Sequence, residues 1–293
     1  MAAPIPLRRC FLQPFTLSLD NYHAEPTTNT NPSSSSVTTA NVDPPSFAHK
    51  ILTAYWTDLC NAFISAIPAA RLTDEYLSHA ERLIRHASEA DVVRTAALYV
   101  LHPINQAFSA HSATAGTVTC LAELSSANLR ADITYFKCPP NPGQGNKRAF
   151  AVIEFKKRQL INSTEFARAE KCNSSMSEAQ IRQNVAQISQ QAKGRNIDHT
   201  FYDGYSCKLV KQAAAYAITH RTKYIALFNW EALVLIRFQA MELLNHNGSL
   251  KSVGELQADG VGEWCQTTVI TQSVQMRPAL LGFLSEAYDA TPF

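Results

Sequence analysis

The chain has 293 residues and 46% hydrophobic residues, with 26 Lys/Arg against 24 Asp/Glu for a net charge of +2. That is enough for one large globular domain or two small ones, and it excludes both a collagen-like and a wholly disordered chain. No stretch approaches the roughly 20 apolar residues that span a bilayer, so no membrane association is expected. Arg8 and Arg9 precede a short apolar stretch broken by Pro14, which makes a poor secretory signal. The seven cysteines are odd in number and form no CxxC pair, arguing against a disulfide framework and a zinc cluster. A reducing compartment, nucleus or cytoplasm, fits that usage, and the Asn162-Ser163-Thr164 sequon then carries no meaning.

In chain order, residues 24–46 are rich in Thr, Asn, Ser and Pro, so 1–46 reads as a disordered tail ahead of a single domain over 47–293. Phe47, Ile51, Ala54, Tyr55, Leu59 and Phe63 recur at helical spacing, predicting a helix over 47–67 closed by Pro68. A second helix is expected over 73–86. A third begins at Ser88, with Asp91 as a capping partner, and runs to about 101 before Pro103. The period then changes to two. Strands are predicted at 117–124, 129–136 and 149–156, the last apolar on both faces as a covered central strand should be. Helices follow at 178–193 and 207–220, strands at 223–229 and 232–238, then a strand at 266–271 and a helix at 277–288. The order predicts an α/β fold, a mixed sheet flanked by helices, with an N-terminal helical extension.

The charge is unevenly placed. Residues 137–223 hold 15 Lys/Arg and 6 Asp/Glu, leaving the remainder acidic. A basic segment suits a polyanion partner or, equally, a solvated face without one. Within it, Glu154 and Lys156 are two apart on a strand and so project from one face. Burial of such charges requires pairing or a metal. A hairpin brings Asp132 beside Glu154, and two hard carboxylates together favour Mg²⁺ or Mn²⁺. Gln212 and Tyr216, four apart, share one face of the later helix. Glu-Lys pairs at strand ends are also common surface salt bridges.

The succession of a helix with Glu89, a strand with Asp132, a strand with Glu154-Phe155-Lys156, a helix with Gln212 and Tyr216, then a strand, resembles the PD-(D/E)XK nuclease superfamily. The QxxxY element is similar to its RecB-like branch, and the whole to nuclease-like domains of uncharacterised fungal proteins. The resemblance covers about 88–238. It implies a restriction-endonuclease-like sheet and a Mg²⁺- or Mn²⁺-dependent nuclease, DNA being the favoured substrate. Asp132 and Glu154 match the metal ligands, with the Phe155 backbone carbonyl as a further one. Lys156 matches the catalytic lysine that assists the attacking water. Gln212 and Tyr216 match the pair that steadies the site and meets the strand. Glu89 is the candidate for the first-helix acid, placed by its stripe with Val93, Ala96 and Val100 on an inward face; a first-turn acid favoured by the helix dipole fits it as well. The sequence departs from the pattern at Ala131, where proline is usual, and in an extra helix before QxxxY. Lys157, Arg158, Arg182, Lys193, Arg195, Lys208 and Lys211 are the candidate phosphate contacts, alongside Lys147, Arg148, Arg221 and Lys223 nearby in sequence. The surface glutamines Gln180, Gln183, Gln187, Gln190 and Gln191 read as ordinary helix polarity or as sugar contacts. His199 and His220 read as structural or surface histidines, and Trp230 as a packing residue. Phosphate-loop, dinucleotide, zincin and nucleophile-elbow motifs are missing from the sequence. The alternatives to a nuclease are a catalytically inactive module of that fold, binding nucleic acid or protein, and an interaction protein whose basic face takes an acidic partner.

Overall fold

Phe150 to Phe155 are all buried, and they form the spine of the sheet. In the computed structural model, which describes residues 5–12, 42–73, 75–76, 89–126, 129–139 and 147–292, this strand is Arg148–Phe155 (β6). A short pairing outside the main sheet joins β1 (Ile5–Pro6) to β3 (Glu75–Tyr76). The main sheet has eight strands. On one side of β6 lie β5 (Leu129–Lys137) and β4 (Val118–Ser126), both antiparallel. On the other side β8 (Tyr224–Phe228) is parallel, followed by antiparallel β9 (Leu233–Arg237) and β10 (Trp264–Ile270). Parallel β2 (Phe47–Lys50) and β7 (Glu170–Cys172) complete the far edge. The sheet is therefore mixed, as the alternation of helical and strand periods predicts.

Helices cover both faces. One layer contains α1 (Leu7–Cys10), α2 (Thr53–Ser65), α3 (Glu89–Ala96), α4 (His102–Ala110) and α9 (Ser273–Ala290). The other contains α5 (Ser163–Ala169), α6 (Glu178–Ala192), α7 (Gly204–His220) and α8 (Val253–Asp259). Along β6, Ile153 and Phe155 join the first core and Val152 the second. Glu154 shares the parity of Val152 and so faces the α7 layer. Among the described residues no helix is long and apolar enough to cross a membrane, and all seven cysteines are free.

Several expectations are corrected. The helix predicted over 47–67 begins only at Thr53; Phe47–Lys50 is a strand. Its backbone partners come from β10 and β7, more than 100 residues away, and four residues, three of them buried, are too few to display a period. The buried stripe of α2 is Trp56, Cys60, Phe63 and Ile64, while Tyr55 faces solvent. Pro103 does not end the third helix. A π-helical turn at Ala97–Leu101 carries the chain from α3 into α4, where Pro103 occupies the first turn. Proline has no N–H to give the turn before it; within that turn buried Arg277 donates to the Tyr99 carbonyl from α9 (3.5 Å). The 73–86 helix falls largely outside the described residues, which show a 3₁₀ turn at Ala69–Thr73 and then β3; the capping pair at Ser88 also lies outside them. Within the expected tail, Leu7, Cys10 and Phe11 are buried in the first core, and Val42 in the second; residues 13–41 are outside the described set. The sequence periods also passed over α5, α8 and β7, each seven residues or fewer.

Candidate active site

The site forms where two strands part. The β5–β6 ladder ends at Ile133↔Ile153, although β5 stays paired with β4 as far as Ser126↔Leu129. Past that point the buried Phe155 has no β5 carbonyl opposite its N–H. Instead the N–H donates to Asp132 Oδ2 (2.7 Å). One carboxylate thus replaces a ladder bond and is fixed at the root of the ExK segment. On the opposite side Lys156 N–H donates to the Phe228 carbonyl (2.8 Å), so β8 holds the strand end.

The side chains converge from there. Lys156 Nζ lies 2.6 Å from Glu154 Oε1, and the two side chains are only 8% and 5% exposed. Gln212, entering from α7, donates to the same Oε1 (3.0 Å) and also lies 3.0 Å from the Tyr216 hydroxyl. The four-residue spacing on α7 puts both groups against Glu154, as the helix period requires. Glu154 Oε2 is buried without a hydrogen-bond partner among the described residues. Such an atom is costly to leave bare.

The electrostatics follow from this crowding. Burial pushes the Glu154 carboxyl up to about 7; Lys156 opposes the shift, while Asp132 and Glu89 add to it. Burial works against the Lys156 ammonium, but Glu154, Glu89 and Asp132 outweigh it and leave its pKa raised. Burial, then the Glu154 charge, pushes the Tyr216 phenol upward. Glu89 is exposed rather than inward-facing, at the first residue of α3. Its charge nevertheless reaches both Glu154 and Lys156.

The donor set fits a hard divalent cation. Asp132 adds to the cost of ionising Glu154, Glu154 Oε2 is unfilled, and every ligand offered is oxygen. Among the described residues no three His, Cys, Asp or Glu side chains cluster tightly enough to hold a metal. Two carboxylates, Asp132 and Glu154, and the Phe155 carbonyl are the oxygens that would be offered to such an ion, and water would have to complete its shell.

The basic candidates divide by position. Lys157 follows Lys156 directly. Arg158 is held by Glu231 (2.5 Å), which also accepts from Gln159 N–H (2.9 Å). Glu231 therefore shapes the loop leaving the site, a role that no sequence signal marks. Lys208 is exposed one turn before Gln212 on the same helical line, over the Tyr205 ring (5.7 Å). Lys211 pairs with Asp198 (2.9 Å) and Arg195 with Asp203 (3.5 Å). Arg182 pairs with Glu178 within α6 (2.6 Å), and Glu178 in turn bonds Gln239 just past the end of β9. That end of the sheet is opposite to Lys156, so Arg182 is not gathered at the site. Lys193 is exposed just beyond α6. Lys147, Arg148, Arg221 and Lys223 also sit at the opposite end. The five glutamines are all exposed, and Gln180 completes the capping box of Ser177. His199 is exposed and bonded to the Lys193 carbonyl (3.0 Å). Trp230 is buried and packs edge-on against Phe228 and Tyr99. No protein-family model, curated protein or solved structure matches the chain.

Proposed function

We propose that this chain is a metal-dependent nuclease that hydrolyses phosphodiester bonds, with DNA the favoured substrate. The observation that carries the reading is the buried convergence of Glu154, Lys156 and Gln212 beside the Asp132 carboxylate, with Glu154 Oε2 left without a donor. Asp132, Glu154 and the Phe155 carbonyl would hold Mg²⁺ or Mn²⁺. A divalent ion so held polarises a phosphate and lowers the pKa of a bound water. The protein's own groups do the remainder. Asp132, locked onto Phe155 N–H, keeps its carboxylate at the strand end before substrate arrives. Gln212 and Lys156 orient Glu154 through one oxygen and leave the other unfilled. The Lys156 ammonium is kept protonated by its neighbours and stabilises charge developing on the phosphate oxygens. Lys157 and Lys208 flank the site as exposed or half-exposed cations suited to backbone phosphates.

The test is cleavage of single- and double-stranded DNA, with RNA alongside, in Mg²⁺ or Mn²⁺ for the wild type, Glu154→Ala and Lys156→Ala. Metal-dependent cleavage lost in both folded variants supports the reading. Binding without turnover by the wild type on every substrate replaces it with a nucleic-acid-binding module.

A further inference from the structure

A second cleft, of about 620 Å³, opens at the other end of the sheet. It lies where β6 and β8 begin, at Arg148 and Tyr224, and where β9 ends, at Arg237. The last turn of α7 forms one wall and the end of α9 another. Seven residues of β6 separate Arg148 from Phe155, about 23 Å at ~3.3 Å per residue, so this cleft is distinct from the Glu154 site.

Its charged lining is mostly cationic. Lys147, Arg148, Arg221, Lys223 and Arg237 face it, against the single carboxylate of Glu286. Glu286 is already engaged by Arg237 and by the Tyr224 hydroxyl (2.9 Å). Arg148 and Lys223 reach backbone carbonyls, of Pro292 and Gln239 respectively (each 3.3 Å), and Lys147 lies over the Phe136 ring (4.6 Å). None of the ion pairs among the described residues includes Lys147, Arg148, Arg221 or Lys223. The carbonyls at the end of α7 favour cations such as Arg221 and Lys223. They do not account for Lys147 and Arg148, at and just before the start of β6, nor for Arg237 on β9.

A second observation concerns His220. The side chain lines the cleft, the residue is only 8% exposed, and its Nε2 is buried without a partner. Burial holds its pKa down to about 4, so the ring is neutral at physiological pH and keeps an unused polar atom. Phe136, Tyr224, Leu243 and Leu250 supply apolar walls. Convergent cations beside apolar walls, in a space within the usual size of small-molecule sites, suit an anionic ligand.

We propose that this cleft binds a small organic anion of mononucleotide size. Its phosphate or carboxylate is held by Lys147, Arg148, Arg221 and Lys223, and its apolar body lies against Phe136 and Tyr224. The proposal does not depend on the nuclease reading.

Titration calorimetry on the full chain tests it with three probes: adenosine 5′-monophosphate, 4-phenylbutyrate and uncharged adenosine. The expected result is binding of at least one anion with Kd below about 1 mM, and at least about tenfold weaker binding of adenosine. The Lys147→Glu/Arg221→Glu double variant, changed at exposed positions, weakens the anion at least about tenfold, whereas Glu154→Gln leaves it unchanged. A preference between the two anions identifies phosphate or carboxylate as the recognised group. The proposal is overturned if neither anion binds, if adenosine binds as tightly, or if the charge reversals change nothing while circular dichroism shows both variants folded.

Discussion

Asp132 is asked to do two things, and two substitutions separate them. Its Oδ2 accepts the buried Phe155 N–H at 2.7 Å where the β5–β6 ladder has ended. In Asp132→Ala that N–H, on a fully buried residue, loses its acceptor. An unsatisfied buried donor costs about 1–3 kcal/mol, so a loss of about 2 kcal/mol, or about 4–8 °C in Tm, is expected. Asp132→Asn keeps an amide oxygen at the same place and loses only the charge assistance of the bond. It also removes one of the charges that push the Glu154 carboxyl upward, a partial compensation. Its stability is expected to stay within about 1 kcal/mol of wild type. Activity should divide differently: with one of the two carboxylates gone, metal-dependent cleavage should fall by about 100-fold or more in both variants. Thermal unfolding and cleavage are measured on the same preparations. The reasoning is refuted if Asp132→Asn unfolds as early as Asp132→Ala, or if it cleaves DNA as the wild type does.

Other substitutions probe the rest of the molecule. Gly282 lies where α9 crosses α2, and an added Cβ would sit 1.8 Å from the Trp56 carbonyl oxygen. Backbone cannot yield there without parting the helices, so Gly282→Ala should lower Tm by more than about 6 °C in a melt, despite alanine's better helix propensity. Lys208→Glu should weaken DNA binding and reduce the slope of log K against log salt by about 1 or more, while Arg182→Ala, already paired with Glu178, should leave that slope unchanged in an anisotropy titration. His220 has a folded-state pKa of about 4, below its ordinary value of 6.5. The unfolded chain therefore binds the extra proton, and the stability His220 contributes is full above pH 6.5 and lost as pH falls towards 4. Denaturant midpoints across that window should show the wild type losing about 3 kcal/mol more than His220→Gln; parallel curves would refute the assignment.

From β4 onward the sequence by itself determined the long elements and the pairs of residues that neighbour each other within them. The period of two at 149–156 placed Glu154 and Lys156 on one face, and the four-residue spacing on α7 aligned Gln212 with Tyr216, because strand and helix geometry act within a few residues. It likewise marked the mixed α/β order, since helical and strand periods alternate along the chain. Only tertiary structure decided how β2 and β7 join the sheet, because their hydrogen bonds come from strands far away in the chain. It also decided that a π-helical turn carries the chain past Leu101 into α4, which leaves Pro103 in a first turn where proline is tolerated. The division of the basic segment into cations at the Glu154 end, cations bound up in ion pairs and cations lining the opposite cleft was invisible in composition. Charge counts along a chain carry no information about which end of a strand each residue reaches. The eight residues of β6 send Arg148 and Lys156 to opposite ends of the sheet.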